Sequence, residues 1–258
     1  MGKWINQYKW KMLLGGLMIL FVVSSYRIIR HFHGMFESHE TTSQLTEILE
    51  AGTKDVKSKP NKKEGTVNPL LEGFSKIQAL NQDCVAWLKV PGTKINYPVM
   101  HTPDEPEYYL RRSFNKNYVV SGTPFVGEGG HINADCFIIY GHNMQDQTMF
   151  STLENYQEES FYRKSPNISM ITAQEVRKYE IFAVVTSEIS TTDESELEYY
   201  LYSGDLSKQK FDELVKWLKV NSLYDTKISP KFGEQILILS TCSYHDNNGR
   251  LIVVARRI

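Results

Sequence analysis

Four short apolar runs in the second half of the chain most constrain what it can fold into. Each has four or five residues, is rich in β-branched or aromatic side chains, and is separated from the next by Gly, Asn, Asp or Pro. This pattern predicts a mainly β fold, either a barrel or a sandwich with helical insertions. The runs are residues 136–140 (CFIIY), 181–185 (IFAVV), 236–239 (ILIL) and 251–255 (LIVVA).

Two helices are predicted beside these strands. The first begins at Asn68-Pro69, with Asn as the N-cap and Pro in the first helical position. The second covers residues 207–220, where Phe211, Leu214 and Leu218 recur on one helical face.

The N-terminus carries a different signal. Residues 12–26 (MLLGGLMILFVVSSY) hold no charge, and Trp10 and Tyr26 flank them as interfacial aromatic residues do. Three Lys precede this run and two Arg follow it, which weakly favours a cytoplasmic N-terminus. An uncleaved membrane anchor is the favoured interpretation. A cleavable signal peptide and a buried core helix are the alternatives, and no clear small-x-small cleavage site supports the former.

Charge divides the chain at residue 36. The first 36 residues have five Lys or Arg and no acid, whereas the remaining 222 have 24 basic and 30 acidic side chains. The mildly acidic second part argues against nucleic acid as a partner. Residues 37–51 have a helical pattern that we expect to stop at Gly52, and the Lys-rich residues 54–68 read as a linker.

These observations predict three parts. Residues 1–30 form a signal anchor in the cell membrane. Residues 31–68 form an extracellular helix and a Lys-rich stalk, and residues 69–258 form the folded domain, which is also extracellular.

Cys242 is the first candidate for chemistry. It follows an apolar strand and precedes a polar loop, a position that holds a thiol rigidly at the edge of a cleft. Arg250 opens the next strand, so the two residues lie side by side if these strands pair, and a guanidinium there can stabilise an oxyanion. His142 follows another strand through Gly141 and can serve as a general acid or base.

Alternatives remain for each of these residues. His245, three residues after Cys242, is a rival base, and the Cys-x-x-His spacing formally matches half of a zinc site without a second ligand pair. Cys84 and Cys136 lie in apolar surroundings and read as buried, inert thiols, although a disulfide between them is an option outside the cell. No metal or other cofactor is expected.

Taken together, these residues resemble a known family, the sortases, and more narrowly class B. Residues 238–242 (ILSTC) are similar to the family's T-L-x-T-C, with Ile238 in place of the first Thr. Residues 140–144 (YGHNM) and 250–255 (RLIVVA) look like the segments that bear the catalytic His and Arg. Weaker matches run through Trp87-Leu88, residues 96–99 and residues 108–110, and the likeness covers about 190 residues.

The resemblance implies an eight-stranded β-barrel with N-terminal helices and a long helix between strands six and seven, which residues 207–220 would supply. It also implies transpeptidation. A surface protein with a C-terminal sorting pentapeptide would be cleaved after Thr and joined to an amine of the peptidoglycan cross-bridge or of a pilin.

The roles implied by the resemblance are specific. Cys242 would form a thioester, His142 would shuttle protons and Arg250 would stabilise the oxyanion. The substrate groove would be lined by Leu110, Tyr140, Ser240, Thr241, Tyr200 and Leu201. An anchored cysteine protease that only hydrolyses, or an inactive barrel that serves as a binding module, remain the competing functions.

Overall fold

The computed structural model describes residues 2–58, 68–188, 197–242 and 249–258. Within these ranges the side chains of residues 2–8, 29–33, 35, 52–58, 187, 188 and 242 lie outside the description. The helices are α1 (Gly2–Ser58), α2 (Pro69–Leu80), α3 (Glu159–Lys164) and α4 (Lys208–Val220). The strands are β1 (Cys84–Lys89), β2 (Asn96–Met100), β3 (Phe125–Val126), β4 (Cys136–Tyr140), β5 (Asn167–Ile171), β6 (Val176–Glu188), β7 (Ile236–Cys242) and β8 (Gly249–Arg257).

The eight strands close into a barrel in the order β1-β2-β3-β4-β7-β8-β6-β5. The β2/β3 and β4/β7 pairs are parallel, and the other pairs are antiparallel. Closure gives every described strand a partner on each side, which limits the sheet edge that is free to pair with another chain. The predicted mainly β barrel is therefore confirmed, and the sandwich alternative is wrong.

Burial on both faces explains why β4, β7 and β8 read as unbroken apolar runs. In β4, Phe137 and Ile139 point into the barrel core, whereas Ile138 packs in a second cluster against α4. Alternate residues of β7 and β8 divide between the same two clusters. A strand covered on both sides cannot show the apolar–polar alternation of a half-exposed strand.

The predicted N-cap of α2 is present, and α4 has a cap that the sequence analysis did not name. Asn68 accepts a hydrogen bond from Leu70 N at the start of α2, and Pro69 is its first residue. Ser207 caps α4 through a hydrogen bond from Lys210 N. In chain order α4 lies between β6 and β7, and it covers the barrel with Phe211, Leu214 and Leu218.

The long helix α1 differs from the prediction at its end. We expected a stop at Gly52, but the helix continues to Ser58, which includes the first residues of the predicted linker. The rest of that linker, residues 59–67, lies outside the described residues. Leu45 and Leu49 of α1 are buried with Phe74 and Ile77 of α2 in a third apolar cluster outside the barrel.

Candidate active site

Strand pairing brings the ends of three strands to one edge of the barrel. In the parallel β4/β7 pair Tyr140 lies opposite Ser240, and Gly141 N donates a hydrogen bond of 3.1 Å to Ser240 O. In the antiparallel β7/β8 pair Cys242 lies directly opposite Arg250. The expected adjacency of these two residues is therefore confirmed for the backbone. His142 follows β4, the strand that pairs with the other side of β7.

Cys242 is described here by its backbone, as the last residue of β7. Its side chain, and the following residues 243–248, lie outside the described residues. The rival interpretations that involve His245, as a base or as half of a zinc site, fall on that same segment. Among the described residues, no group of three His, Cys, Asp or Glu side chains is arranged to hold a metal ion.

His142 is held in place by its backbone and by its ring. Its carbonyl accepts a 2.8 Å hydrogen bond from Phe150 N, and its Nε2 lies 2.9 Å from the carbonyl oxygen of Leu110. Because a carbonyl oxygen only accepts, Nε2 carries a hydrogen, and a neutral ring then keeps its lone pair on Nδ1. His142 is therefore oriented by a fixed partner, as a general acid or base must be.

The protonation of His142 is biased towards the neutral form. Burial lowers the pKa of His142 below its ordinary value, the hydrogen bond to Leu110 O opposes this, and the positive charges of Arg111 and Arg250 lower the pKa further. Desolvation and nearby cations both disfavour a second positive charge on the imidazole.

The turn after β4 depends on the glycine that was predicted there. A Cβ on Gly141 would lie only 2.6 Å from the Phe150 ring, which is fully buried. Beyond His142, an antiparallel β-bridge between Asn143 and Met149 closes the 143–149 loop. Asn143 Nδ2 donates a hydrogen bond of 2.6 Å to Glu154 Oε1. Glycine thus permits the close packing that sets the exit direction of His142.

A cleft of about 820 Å³ opens at this edge of the barrel. His142 and Arg250 line it, and so do all six residues that the resemblance assigned to a substrate groove: Leu110, Tyr140, Ser240, Thr241, Tyr200 and Leu201. The volume lies within the range of pockets that hold small ligands or short peptide segments. The geometry brings these residues together, while their roles stay predictions.

The wall of the cleft contains residues that the sequence analysis missed. Tyr199 is buried, and its hydroxyl lies 2.9 Å from Ser240 Oγ. Glu107 and Glu128 are exposed at the rim, and Gly127 lies against the Tyr140 ring, where a Cβ would be 2.4 Å from a ring carbon. The glycines at 127, 129 and 130 were a signal of close packing, but nothing in the sequence links Glu107 or Tyr199 to Cys242.

Two groups in the cleft have unusual polar environments. Burial raises the pKa of Tyr140, and the positive charge of Arg250 partly opposes that rise, so the phenol stays protonated and able to donate. Thr241 Oγ1 is buried and has no hydrogen-bond partner within the described part of the chain.

Cys84 and Cys136 are remote from this chemistry. Both are fully buried and free, so the alternative of a disulfide between them is wrong. Burial raises the pKa of each thiol to about 12, which leaves almost no thiolate at neutral pH. The prediction of two buried, unreactive thiols is confirmed in its structural part.

The sequence of this chain is similar to those of known proteins. The family model for the sortase domain matches residues 88–258, well over half of the chain. The chain is 28% identical over 190 residues to Sortase B of Staphylococcus aureus, which covers 72% of this chain and 74% of that protein. It is 29% identical over 189 residues to Sortase B of Listeria monocytogenes, which covers 70% and 72%, respectively.

The barrel is also similar to solved structures. The crystal structure of Clostridium perfringens Sortase B superposes with a TM-score of 0.65 at 29% identity, and the match covers 72% of this chain and 99% of that one.

Proposed function

This chain belongs to the sortase family, as a class B sortase and hence a cysteine transpeptidase, and from that premise we propose the substrates, roles and location of its reaction. It cleaves surface proteins after the Thr of a C-terminal sorting pentapeptide. It then transfers the cleaved surface protein to an amine of the peptidoglycan cross-bridge or of a pilin. The observation that carries the proposal is the register of Cys242 opposite Arg250, in a cleft that His142 also lines.

In the first half-reaction the Cys242 thiolate attacks the carbonyl carbon of the Thr residue. The carbonyl electrons move to oxygen, and the Arg250 guanidinium stabilises this oxyanion. The oxyanion then collapses, the C–N bond breaks, and the leaving amine takes a proton from the His142 imidazolium. The products are a thioester on Cys242 and a neutral imidazole.

In the second half-reaction the acceptor amine attacks the thioester carbon. The neutral imidazole of His142 accepts the proton that the amine loses, the C–S bond breaks, and the Cys242 thiolate is regenerated. Because the hydrogen on Nε2 is committed to the Leu110 carbonyl, Nδ1 is the nitrogen left to exchange a proton.

The lowered pKa of His142 has a consequence for this scheme. The first half-reaction needs thiolate and imidazolium together, but burial keeps most of the imidazole neutral at pH 7. Only a minor fraction of the enzyme then carries the active pair. The positive charge of Arg250 favours the Cys242 thiolate but disfavours the His142 imidazolium.

We place the domain outside the cell membrane, held by residues 1–30. The helical segment Lys9–Ile28 has a mean hydropathy of 1.5, and none of it is buried in the protein. Its 20 residues are about 30 Å long, which equals the thickness of the hydrocarbon core.

The test is a pentapeptide library with Thr at the scissile position, incubated with the domain with and without peptide amines, one with an N-terminal glycine and one with a free lysine side chain. A transpeptidase joins the cleaved peptide to one of these amines at the expense of hydrolysed peptide, because the bound amine outcompetes water for the thioester. If only hydrolysed product forms under saturating concentrations of both amines, the chain is a protease and the proposed transfer is wrong. If no peptide is turned over at all, the barrel is a binding module.

Variants separate the roles within the cleft. We expect Cys242→Ala to abolish turnover, Arg250→Ala to lower kcat/KM by about 10²–10³-fold, and His142→Ala to lower it by about 10²–10⁴-fold. Cys136→Ala is the matched control because it removes a buried thiol at the opposite end of β4, and it should retain turnover. Equal loss in the control would contradict the assignment to Cys242.

A further inference from the structure

The apolar segment Lys9–Ile28 and the residues that contact the barrel belong to one uninterrupted helix, α1. Among the side chains that the structure describes after Ile28, the first to meet the domain is at Gly34, where a Cβ would lie 3.3 Å from Val119 Cγ1. Gly34 lies six positions after Ile28, which is about 9 Å of helix. The folded domain therefore begins close to the point where the helix leaves the hydrocarbon.

From Gly34 onwards α1 is fixed to the domain by polar contacts. Asn117 Nδ2 donates a hydrogen bond of 2.5 Å to Glu37 Oε1, and Asn115 Nδ2 donates one of 3.2 Å to Thr41 Oγ1. Both asparagines belong to the segment that follows Leu110, the residue whose carbonyl binds His142.

Apolar packing fixes the next two turns of α1. Leu45 and Leu49 are 3% and 4% exposed, and Gly73 of α2 lies so close to α1 that a Cβ would be 2.6 Å from Leu49 O. Contacts thus run from Gly34 to Leu49, or about 22 Å along the helix axis. A helix held over this length cannot pivot on the domain without breaking the third apolar cluster.

The catalytic edge of the barrel lies at a defined level along this helix. Thr148 and Met149 of the 143–149 loop share a small cavity with Ser38 and Thr42 of α1. Ser38 and Thr42 are 10 and 14 residues beyond Ile28, which places the loop after His142 about 15–21 Å from the end of the apolar segment.

We propose that α1 is a rigid support that holds the cleft at a fixed height above the bilayer. This height sets a minimum distance between the scissile bond of a substrate and the membrane in which that substrate is anchored. The inference rests on the proposed anchor and transpeptidation. A fully extended chain gains at most about 3.3–3.6 Å per residue, so a membrane-tethered substrate needs at least about five residues between its scissile bond and its own membrane span.

The first experiment varies the substrate. The full chain is reconstituted in lipid vesicles together with the best peptide of the library, joined to a membrane-spanning segment by a Ser/Gly spacer that grows one residue at a time from none to about twelve. We expect no product below about five spacer residues and product above that length. The same peptide without a membrane segment reports activity that is independent of height.

The second experiment lengthens α1 between its apolar segment and the folded domain. An insertion of roughly seven helix-forming residues between Ile28 and Gly34 adds about two turns, or about 10 Å, and nearly preserves the docked face. The shortest processed spacer should then grow by about three residues. The matched control places the same insertion between α1 and α2, beyond the docked part of α1, and should leave the threshold unchanged.

The outcomes separate the two proposals. Suppose that the untethered peptide is turned over but the tethered series shows no minimum spacer length, or shows one that both insertions change equally. The proposed fixed height is then wrong, while the proposed transpeptidation stands. Failure to turn over the untethered peptide overturns the proposed function itself. If the inserted variant loses activity on the untethered peptide, the spacer series on the unmodified chain still decides, because a threshold is expected there as well.

Discussion

At the scale of single residues, the state of His142 depends on groups that oppose one another. The Leu110 carbonyl favours a proton on the ring, while burial and two neighbouring guanidinium groups disfavour the cation. Of those two, Arg250 is assigned to the reaction, whereas Arg111 is exposed and only neighbours the ring. The electrostatic influence on His142 can therefore be tested without touching the proposed machinery.

We predict that Arg111→Gln raises the pKa of His142. Removal of a nearby positive charge makes the imidazolium less unfavourable, so the group gains its proton at a higher pH. The acid limb of kcat/KM, which lies below pH 6.5 in the unmodified enzyme if it reports His142, moves to higher pH. NMR titration of the His142 ring gives the same shift directly.

The control for this prediction is Arg112→Gln. Arg112 carries the same charge one residue further on, but its guanidinium lies 4.4 Å from the centroid of the Tyr108 ring and is not among the charges that affect His142. Because Arg111 is exposed, salt should reduce the difference between the two variants. A shift of equal size in both, or a downward shift for Arg111→Gln, contradicts the assignment.

The three cysteines give a second residue-scale prediction. Iodoacetamide at about pH 8 should modify one thiol in the folded protein and three after denaturation, because the reagent needs a thiolate. Cys84 and Cys136 are fully buried with pKa values near 12, so neither reacts until the barrel opens. Mass spectrometry of tryptic peptides identifies the modified site.

Cys242→Ala is the control for the labelling, since it should leave no reactive thiol in the folded state. Modification of Cys84 or Cys136 in the native protein would show that burial does not protect them. It would also weaken the assignment of Cys242 as the one reactive thiol.

At the scale of elements, the sequence predicted best where local chemistry decides the structure. Cys136–Tyr140 was predicted residue for residue, because a strand buried on both faces is apolar throughout. The start of α2 followed from Asn68, whose cap is a local hydrogen bond, and α4 followed from the spacing of its apolar residues. The predicted end of α1 was wrong because one glycine inside a helix costs only about 0.5–1 kcal/mol, and the helix continues through Gly52 to Ser58.

The pairings and the cleft required long-range information. The two-residue β3 has too few residues for a pattern, and its parallel pairing with β2 is made by a single register pair. Tyr199 lies about 40 residues from Ser240 in the chain, and only the packing of β7 brings their hydroxyls to 2.9 Å. The groove residues named from the sequence came from resemblance to a family, which carries that long-range information implicitly.

The turn after β4 gives a prediction at this scale. Gly141→Ala places a methyl group 2.6 Å from the Phe150 ring, which has no space to move because it is fully buried. We expect a loss of about 1–3 kcal/mol in the free energy of unfolding, together with lower turnover, because His142 is displaced. Urea unfolding and peptide turnover measure the two effects.

A double-mutant cycle tests the mechanism of that loss. Phe150→Leu destabilises by itself, but it leaves room near Gly141, so Gly141→Ala should cost less on the Phe150→Leu background. Additive effects of the two substitutions would show that the ring is not what Gly141 accommodates.

At the scale of the whole molecule, the barrel is one of three apolar units that share strands. The second unit joins the outer face of the barrel to α4, and the third joins it to α1 and α2 through Trp87, Tyr109 and Phe125. Helix α1 is thus both the proposed anchor and a part of the folded domain. This dual role is what makes a fixed distance between membrane and cleft physically reasonable.

The last prediction concerns where the autonomous domain begins. A chain that starts at Pro69 lacks Leu45 and Leu49 and exposes the apolar surface of Phe74 and Ile77 that they cover. Burial of each leucine contributes about 1.5–3 kcal/mol, so this chain should be less stable by about 3–6 kcal/mol than one that starts at Gly34. Against a typical total of about 5–15 kcal/mol, such a loss is large enough to see as a lower urea midpoint.

Point substitutions in the longer chain decide whether packing is the cause. Leu45→Ala and Leu49→Ala should each reproduce a loss of about 2–5 kcal/mol, while Glu47→Ala on the exposed face of the same turn should leave the midpoint unchanged. Equal stability of the two chains would mean that α1 only rests on the domain, and a helix that only rests there could not hold the cleft at a constant height.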